Sequence, residues 1–228
     1  MVLLTLTSGV ENSENFEVSY NVPIDVTTNT KVALIGVNLW FSWYNISHEY
    51  KNNIIQHFDG STWRTTVLPD GFYTIDLLND TLMDTKIGFD INKITSRAIL
   101  NLKSGGQVDF SEGKLHKVLG FESKIYTSDK TEGTYPINIS NDIDRILIHC
   151  SLVDHSYLNN VKSDVIYSFV PETPPGSLIT LNPNPSIYLP IREREHINSI
   201  RMNITDQNNR PIELNNERVT YILHLKNK

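Results

Sequence analysis

Alternation with period two runs through this chain and limits its possible folds more than any other feature. Phe16, Val18 and Tyr20 are interleaved with Glu17 and Ser19, and Ile200, Met202 and Ile204 with Arg201 and Asn203. The same spacing sets Ile146, Ile148, Cys150 and Leu152 against Arg145, Leu147, His149 and Ser151. It sets Val165, Tyr167 and Phe169 against Asp164, Ile166 and Ser168. Near the carboxyl end, Val219, Tyr221, Leu223 and Leu225 alternate with Thr220, Ile222, His224 and Lys226. Successive side chains of a strand point to opposite faces, so each stretch predicts a strand with one face on a core. Lys31–Leu39 is more continuously apolar and predicts a strand covered on both faces.

Turn signals divide these runs. Ser104-Gly105-Gly106 lies between the strand-like runs Ala98–Leu102 and Gln107–Phe110 and reads as a hairpin. Asp206–Arg210 separates Ile204 from the Ile212–Leu214 run. The proline-bearing stretches 171–176 and 182–185 are loops, because proline cannot donate within a central strand. Leu68–Asp80 breaks the period. Pro69 and Gly71 suit a turn, Thr74 stands where an N-cap belongs, and Asp76 complements the helix dipole. Ile75, Leu78 and Leu82 then recur at helical spacing. A second short helix is expected from Ser111, as N-cap, to Leu119, with Leu115, Val118 and Leu119 buried and Gly120 at C′. Lys124–Gly133 is polar and turn-rich, and is expected to be a mobile surface loop. Many short strands, long loops and two brief helices favour an all-β sandwich or jelly roll, with no internal repeat or linker.

Composition excludes several function classes. With 228 residues, 39 % apolar and 20 % charged, the chain is globular and long enough to bury a core. Lys+Arg 20 against Asp+Glu 26 gives a net charge of −6 without any basic cluster, and Arg192-Glu193-Arg194-Glu195 cancels itself. A sequence-independent nucleic-acid binder needs a basic stripe to release counterions, so no direct nucleic-acid binding is expected. Cys150 is the only cysteine, which rules out a disulfide framework. No run approaches eighteen uninterrupted apolar residues, so no membrane span is expected. Met1–Thr5 lacks the basic start of a signal peptide, and the sequons at Asn45, Asn79, Asn138 and Asn203 are expected to be unused. Together these imply a protein made inside a cell, or for a particle built there.

No constellation reads as an active site. Asp154-His155-Ser156 holds three triad residue types, but a triad is assembled from separated segments. Cys150 shares a strand face with Ile148 and Leu152, which makes it a buried thiol rather than a partner of His149. The histidines are scattered without a metal-binding spacing, so neither a metal nor a cofactor is expected. Asp70, Asp76 and Asp80 fit turn and cap roles better than a calcium loop. The run Leu39-Trp40-Phe41-Ser42-Trp43-Tyr44 is open to three readings: core, subunit contact, or a stacking platform for a sugar. Trp40, Phe41, Trp43 and Tyr44 are the candidate subunit-interface residues.

Several segments, in order, resemble the penton (minor capsid) protein of Polinton (Maverick) elements and the related adintoviruses and virophages. They include Trp40–Ile46, Leu68–Ile75, Val108–Phe110 with Leu119–Phe121, and Ile148–Leu152. Further matches are Pro174-Pro175-Gly176, Tyr188–Ile191, Ile204–Gln207 and Leu223–Leu225. The resemblance implies a single jelly roll over residues 1–228 with short helices in its loops. It also implies homopentamers at icosahedral vertices beside a double jelly-roll major capsid protein, a location in the virion, and no catalytic residues. A glycan- or receptor-binding jelly roll using the same aromatics is the alternative, and a hydrolase a more distant one.

Overall fold

The computed structural model of the chain describes residues 1–140, 143–154, 156–192 and 195–227. Packing groups the chain into two units, Met1–Trp43 with Ile143–Lys228, and Tyr44–Asp142. The first unit opens with β1 (Val2–Thr7), β2 (Asn15–Asp25) and β3 (Lys31–Trp40). The second holds β4 (Ile54–Phe58), β5 (Trp63–Val67), α1 (Ile75–Thr81), β6 (Ile87–Asn92) and β7 (Arg97–Leu102). It continues with β8 (Gln107–Asp109), α2 (Leu115–Leu119), β9 (Ile125–Tyr126) and β10 (Thr131–Glu132). The first unit resumes with β11 (Ile146–Cys150), β12 (Ser156–Leu158), β13 (Val161–Ser163), β14 (Val165–Phe169) and β15 (Leu178–Leu181). It ends with β16 (Leu189–Pro190), β17 (His196–Asp206) and β18 (Val219–Lys226).

The first unit is a sandwich of two antiparallel sheets. One runs β1-β18-β3-β15, with β16 also on β3; the other runs β14-β11-β17-β2. In the eight-strand series β1, β2, β3, β11, β14, β15, β17, β18, the first sheet takes members one, eight, three and six. The second takes two, seven, four and five. This interleaving is the jelly roll, and it makes the fold all-β. Leu4, Leu6, Leu34, Leu39, Tyr221 and Leu223 from one sheet meet Ile146, Ile148, Cys150, Ile200, Met202 and Ile204 from the other in one core. β3 lies between β18 and β15, and Val32, Ala33, Leu34, Val37 and Leu39 are all buried, as its unbroken apolar run predicts.

Two strands depart from simple alternation. On β11 every residue is buried, including Leu147 and His149 on the face expected to be wet. β11 is flanked by β14 and β17, and the β12–β13 hairpin supplies side chains beside His149 on that face. Opposite it, the register shifts between Ile148, which faces Tyr167, and His149, which faces Val165. The extra residue, Ile166, turns into the core, whereas alternation had placed it outside.

The second unit packs its own core from the β10-β7-β6 sheet, the β5-β4-β8-β9 sheet and both helices. α1 begins where the sequence predicts: the Thr74 hydroxyl accepts from Leu77 N at 3.3 Å, and Ile75, Leu78 and Leu82 are buried. Thr74→Ala should therefore lower stability by about 1 kcal/mol, measured by chemical denaturation; an unchanged midpoint would show that the cap contributes nothing. The turn before α1 is held by Asn45, which is 1 % exposed. Its Nδ2 donates to the Tyr73 and Ile139 carbonyls, both at 2.8 Å, and its Oδ1 accepts from Tyr73 N at 2.7 Å. Asn79 clamps Phe89 in the same way, donating to its carbonyl at 2.8 Å and accepting from its N–H at 2.7 Å. These two sequon asparagines thus bond the backbone of their own unit.

Three expectations in this unit are corrected. α2 starts at Leu115 rather than after Ser111, because the Ser111 N–H and hydroxyl both turn back to Asp109 and Gly113 takes φ +72°. The predicted buried stripe and Gly120, with φ +78° at the helix end, hold. The Ser104–Gly106 turn does not close a hairpin: β7 pairs with β6 and β10, and β8 with β4 and β9. The Lys124–Gly133 stretch supplies β9 and β10, one to each sheet, so it is stitched into the unit rather than a free loop.

Candidate functional site

The aromatic run separates into an exposed and a buried part. Trp40 ends β3 opposite Leu178 on β15, and the two are 42 % and 46 % exposed. Phe41 and Trp43 stack with ring centroids 4.0 Å apart; Trp43 is 3 % exposed and belongs to the sandwich core, with Phe41 packed against it. Tyr44 is the first residue of the other unit and is half-buried there.

Chemistry-bearing side chains gather elsewhere, on the outer face of the β14-β11-β17-β2 sheet. Ile148, Cys150, Met202 and Ile204 point into the core, so alternation turns His149, Asn203 and Thr205 outward. His149 and Asn203 are cross-strand partners, and Thr205 lies one pleat further along β17. The imidazole bridges two groups: Nδ1 is 2.7 Å from Asp164 Oδ1 and Nε2 is 2.9 Å from Thr205 Oγ1. Asp164 is brought there by the same bulge that turns Ile166 inward, and the His149 hydrogen bond holds its carboxyl below the usual carboxylate range.

Around this floor is a well of about 550 Å³, walled by Asp154, Lys162, Ser163, Asp164, Arg192 and Asn209. Lys162 Nζ lies 2.9 Å and Arg192 Nε 3.9 Å from the same Asp154 oxygen. Both cations are more than half exposed, so solvent screening leaves these pairs little weight in stability. The carboxylate–imidazole–hydroxyl order is that of a catalytic relay. However, Thr205 Oγ1 also donates to the Asp206 carbonyl at 3.2 Å, and the residue is 5 % exposed. The hydroxyl is held within the sheet, so the three groups form a rigid polar floor.

Of the triplet weighed in the sequence, Asp154 lines this well and Ser156 donates to the Ser163 carbonyl, while His155 lies outside the described residues. So do Glu193 and Arg194 of the charge-alternating run. Cys150 is a buried thiol on the core side of the sheet. Among the described residues, no three His, Cys, Asp or Glu gather as metal ligands, and no helix is long and apolar enough to cross a membrane. No motif in the sequence marks this well. Its floor is spelled by the outward residues of two strands whose pairing is not visible in either one.

No protein-family model and no curated protein matches the chain. Among solved structures, it is similar to the crystal structure of the selenomethionine-labelled mavirus penton protein. The match covers 99 % of this chain and 99 % of that one, with a TM-score of 0.53 and 10 % identity. The chain has the fold of a penton protein. Full coverage of both chains means that the likeness takes in both units, including residues 44–142 inserted between β3 and β11.

Proposed function

We propose that this protein is a structural capsid subunit of the penton, or minor capsid, kind. In this reading it assembles into pentamers at icosahedral vertices beside a double jelly-roll major capsid protein, in the virions of Polinton-like elements or related viruses. The observation that carries the reading is end-to-end similarity to a penton protein over both chains. The whole chain, residues 1–228, then acts as one capsid protein whose work is self-association rather than catalysis. A ring of identical subunits needs a heterologous contact that closes under rotation. Permanent contacts of this type bury roughly 2,000 Å² or more, with an apolar centre.

Within the aromatic run, Trp40 and its neighbour Leu178 are the exposed apolar pair at the end of β3, and they are our candidates for part of that contact. Trp43 supports the contact from the core. The alternative of a sugar platform built from these rings is weakened by the burial of Trp43. Light scattering and electron microscopy of the purified protein across a concentration series should show fivefold rings. Trp40→Ala should shift their formation to at least about tenfold higher concentration without changing the melting temperature. Chains that stay monomeric at all concentrations, with or without a major capsid protein, would count against the proposal.

A further inference from the structure

We infer that the well on the outer face of the β14-β11-β17-β2 sheet is a binding site for a small acidic saccharide, a function separate from self-assembly. Its volume, about 550 Å³, lies within the size range of small-molecule sites. Its lining mixes donors and acceptors, as vicinal hydroxyls require, since each hydroxyl both gives and accepts a hydrogen bond. Asn203 and Asn209 contribute amides that carry one group of each kind, and among the described residues neither side chain hydrogen-bonds to the protein. Asn209 takes φ +60° in the turn after β17. The Asp154 and Asp164 carboxylates add acceptors.

An acid group on the ligand is called for by Arg192 and Lys162. Both lie beside one Asp154 oxygen, and the Arg192 charge also acts on the Asp164 carboxylate that His149 bonds. The exposed guanidinium edge, rather than an excess of positive charge, is what an acid group would meet. Arg192 uses Nε on the Val153 carbonyl at 3.3 Å, so its two terminal nitrogens face no protein acceptor among the described residues. A planar guanidinium edge of that kind matches a carboxylate in two parallel hydrogen bonds. Among the described residues the lining itself holds no aromatic ring; Tyr157, the cross-strand partner of Lys162, stands outside it and is 70 % exposed. The floor comes preformed, because His149 and Thr205 are buried and bonded to each other.

The test is titration of the full chain, by calorimetry and saturation-transfer NMR, with glucuronic acid and N-acetylneuraminic acid. Glucose and inorganic phosphate serve as separate arms. The acidic sugars should bind saturably, with glucose weaker by at least about tenfold. Arg192→Gln should weaken the acidic sugars by a similar factor of about ten while leaving glucose unchanged. Asn203→Ala, at a position without a hydrogen bond to lose, should weaken both sugars in a protein of unchanged melting temperature. Phosphate binding as tightly as the acidic sugars would reduce the well to a simple anion site and overturn the saccharide assignment. Absence of saturable binding by either acidic sugar, or binding indifferent to both variants, would overturn the site.

Discussion

Replacing Gly120 by alanine should cost the Tyr44–Asp142 unit about 3 kcal/mol or more, the sum of a left-handed backbone and a collision that cannot relax. The residue takes φ +78° at the end of α2, where its N–H closes the helix on His116 O. Its own carbonyl accepts from Tyr135 N at 2.9 Å, which draws the 135–136 segment against the helix end. A Cβ there would drive into the Tyr135 carbonyl oxygen and stand 2.9 Å from that of Pro136. Both obstacles are backbone, so no rotamer change offers an escape. Gly133, whose own Cβ would lie 2.9 Å from Gly120 O, closes the crossing from the other side. Thermal denaturation should show the unit melting far below its normal midpoint or unfolded from the start. A shift of only a degree or two would mean that the crossing is looser than this packing allows.

Asn45→Ala should destabilise the same unit by about 2–4 kcal/mol, because it strands two buried backbone groups and a partly buried one at once. These are the Tyr73 N–H, the Tyr73 carbonyl and the Ile139 carbonyl. Asn45→Asp keeps the acceptor for Tyr73 N but places a carboxylate against two carbonyls. It should be no better than alanine at neutral pH and should recover in part as acid protonates it. Urea denaturation of both variants at two pH values checks the sign. Wild-type stability in the alanine variant would show that water replaces the amide at no cost.

The sequence was most legible where one residue's environment is local. Thr74 as cap, Gly120 as helix stop and the apolar stripes of both helices depend on neighbours a few positions away, and these were read correctly. The core faces of β2, β17 and β18 were legible because one-sided burial writes itself as alternation. Legibility failed where long-range pairing decides. Nothing near Ser104–Gly106 tells that β7 and β8 join different sheets, and nothing in Lys124–Gly133 reveals that two of its dipeptides are sheet edges. The polar well failed for the same reason. His149 and Asn203 sit at outward positions of ordinary strands, and only their register, with a bulge that delivers Asp164, makes them one site.

Inserting residues 44–142 between β3 and β11 asks the jelly roll to join strands far apart in the chain. Asn45 stands at the entry of that insertion, and its amide reaches Ile139 near the exit as well as Tyr73. Once the inserted unit has folded, its ends are tethered, and the loop that β3 and β11 must close is effectively an order of magnitude shorter. Chain-closure entropy makes that worth about 2 kcal/mol, which would appear as faster sandwich formation rather than as a stronger contact. The expected order is therefore inserted unit first, sandwich second. Stopped-flow refolding of Asn45→Ala should slow the burial of Trp43, and an unchanged rate would mean that the two strands meet without waiting for the insertion.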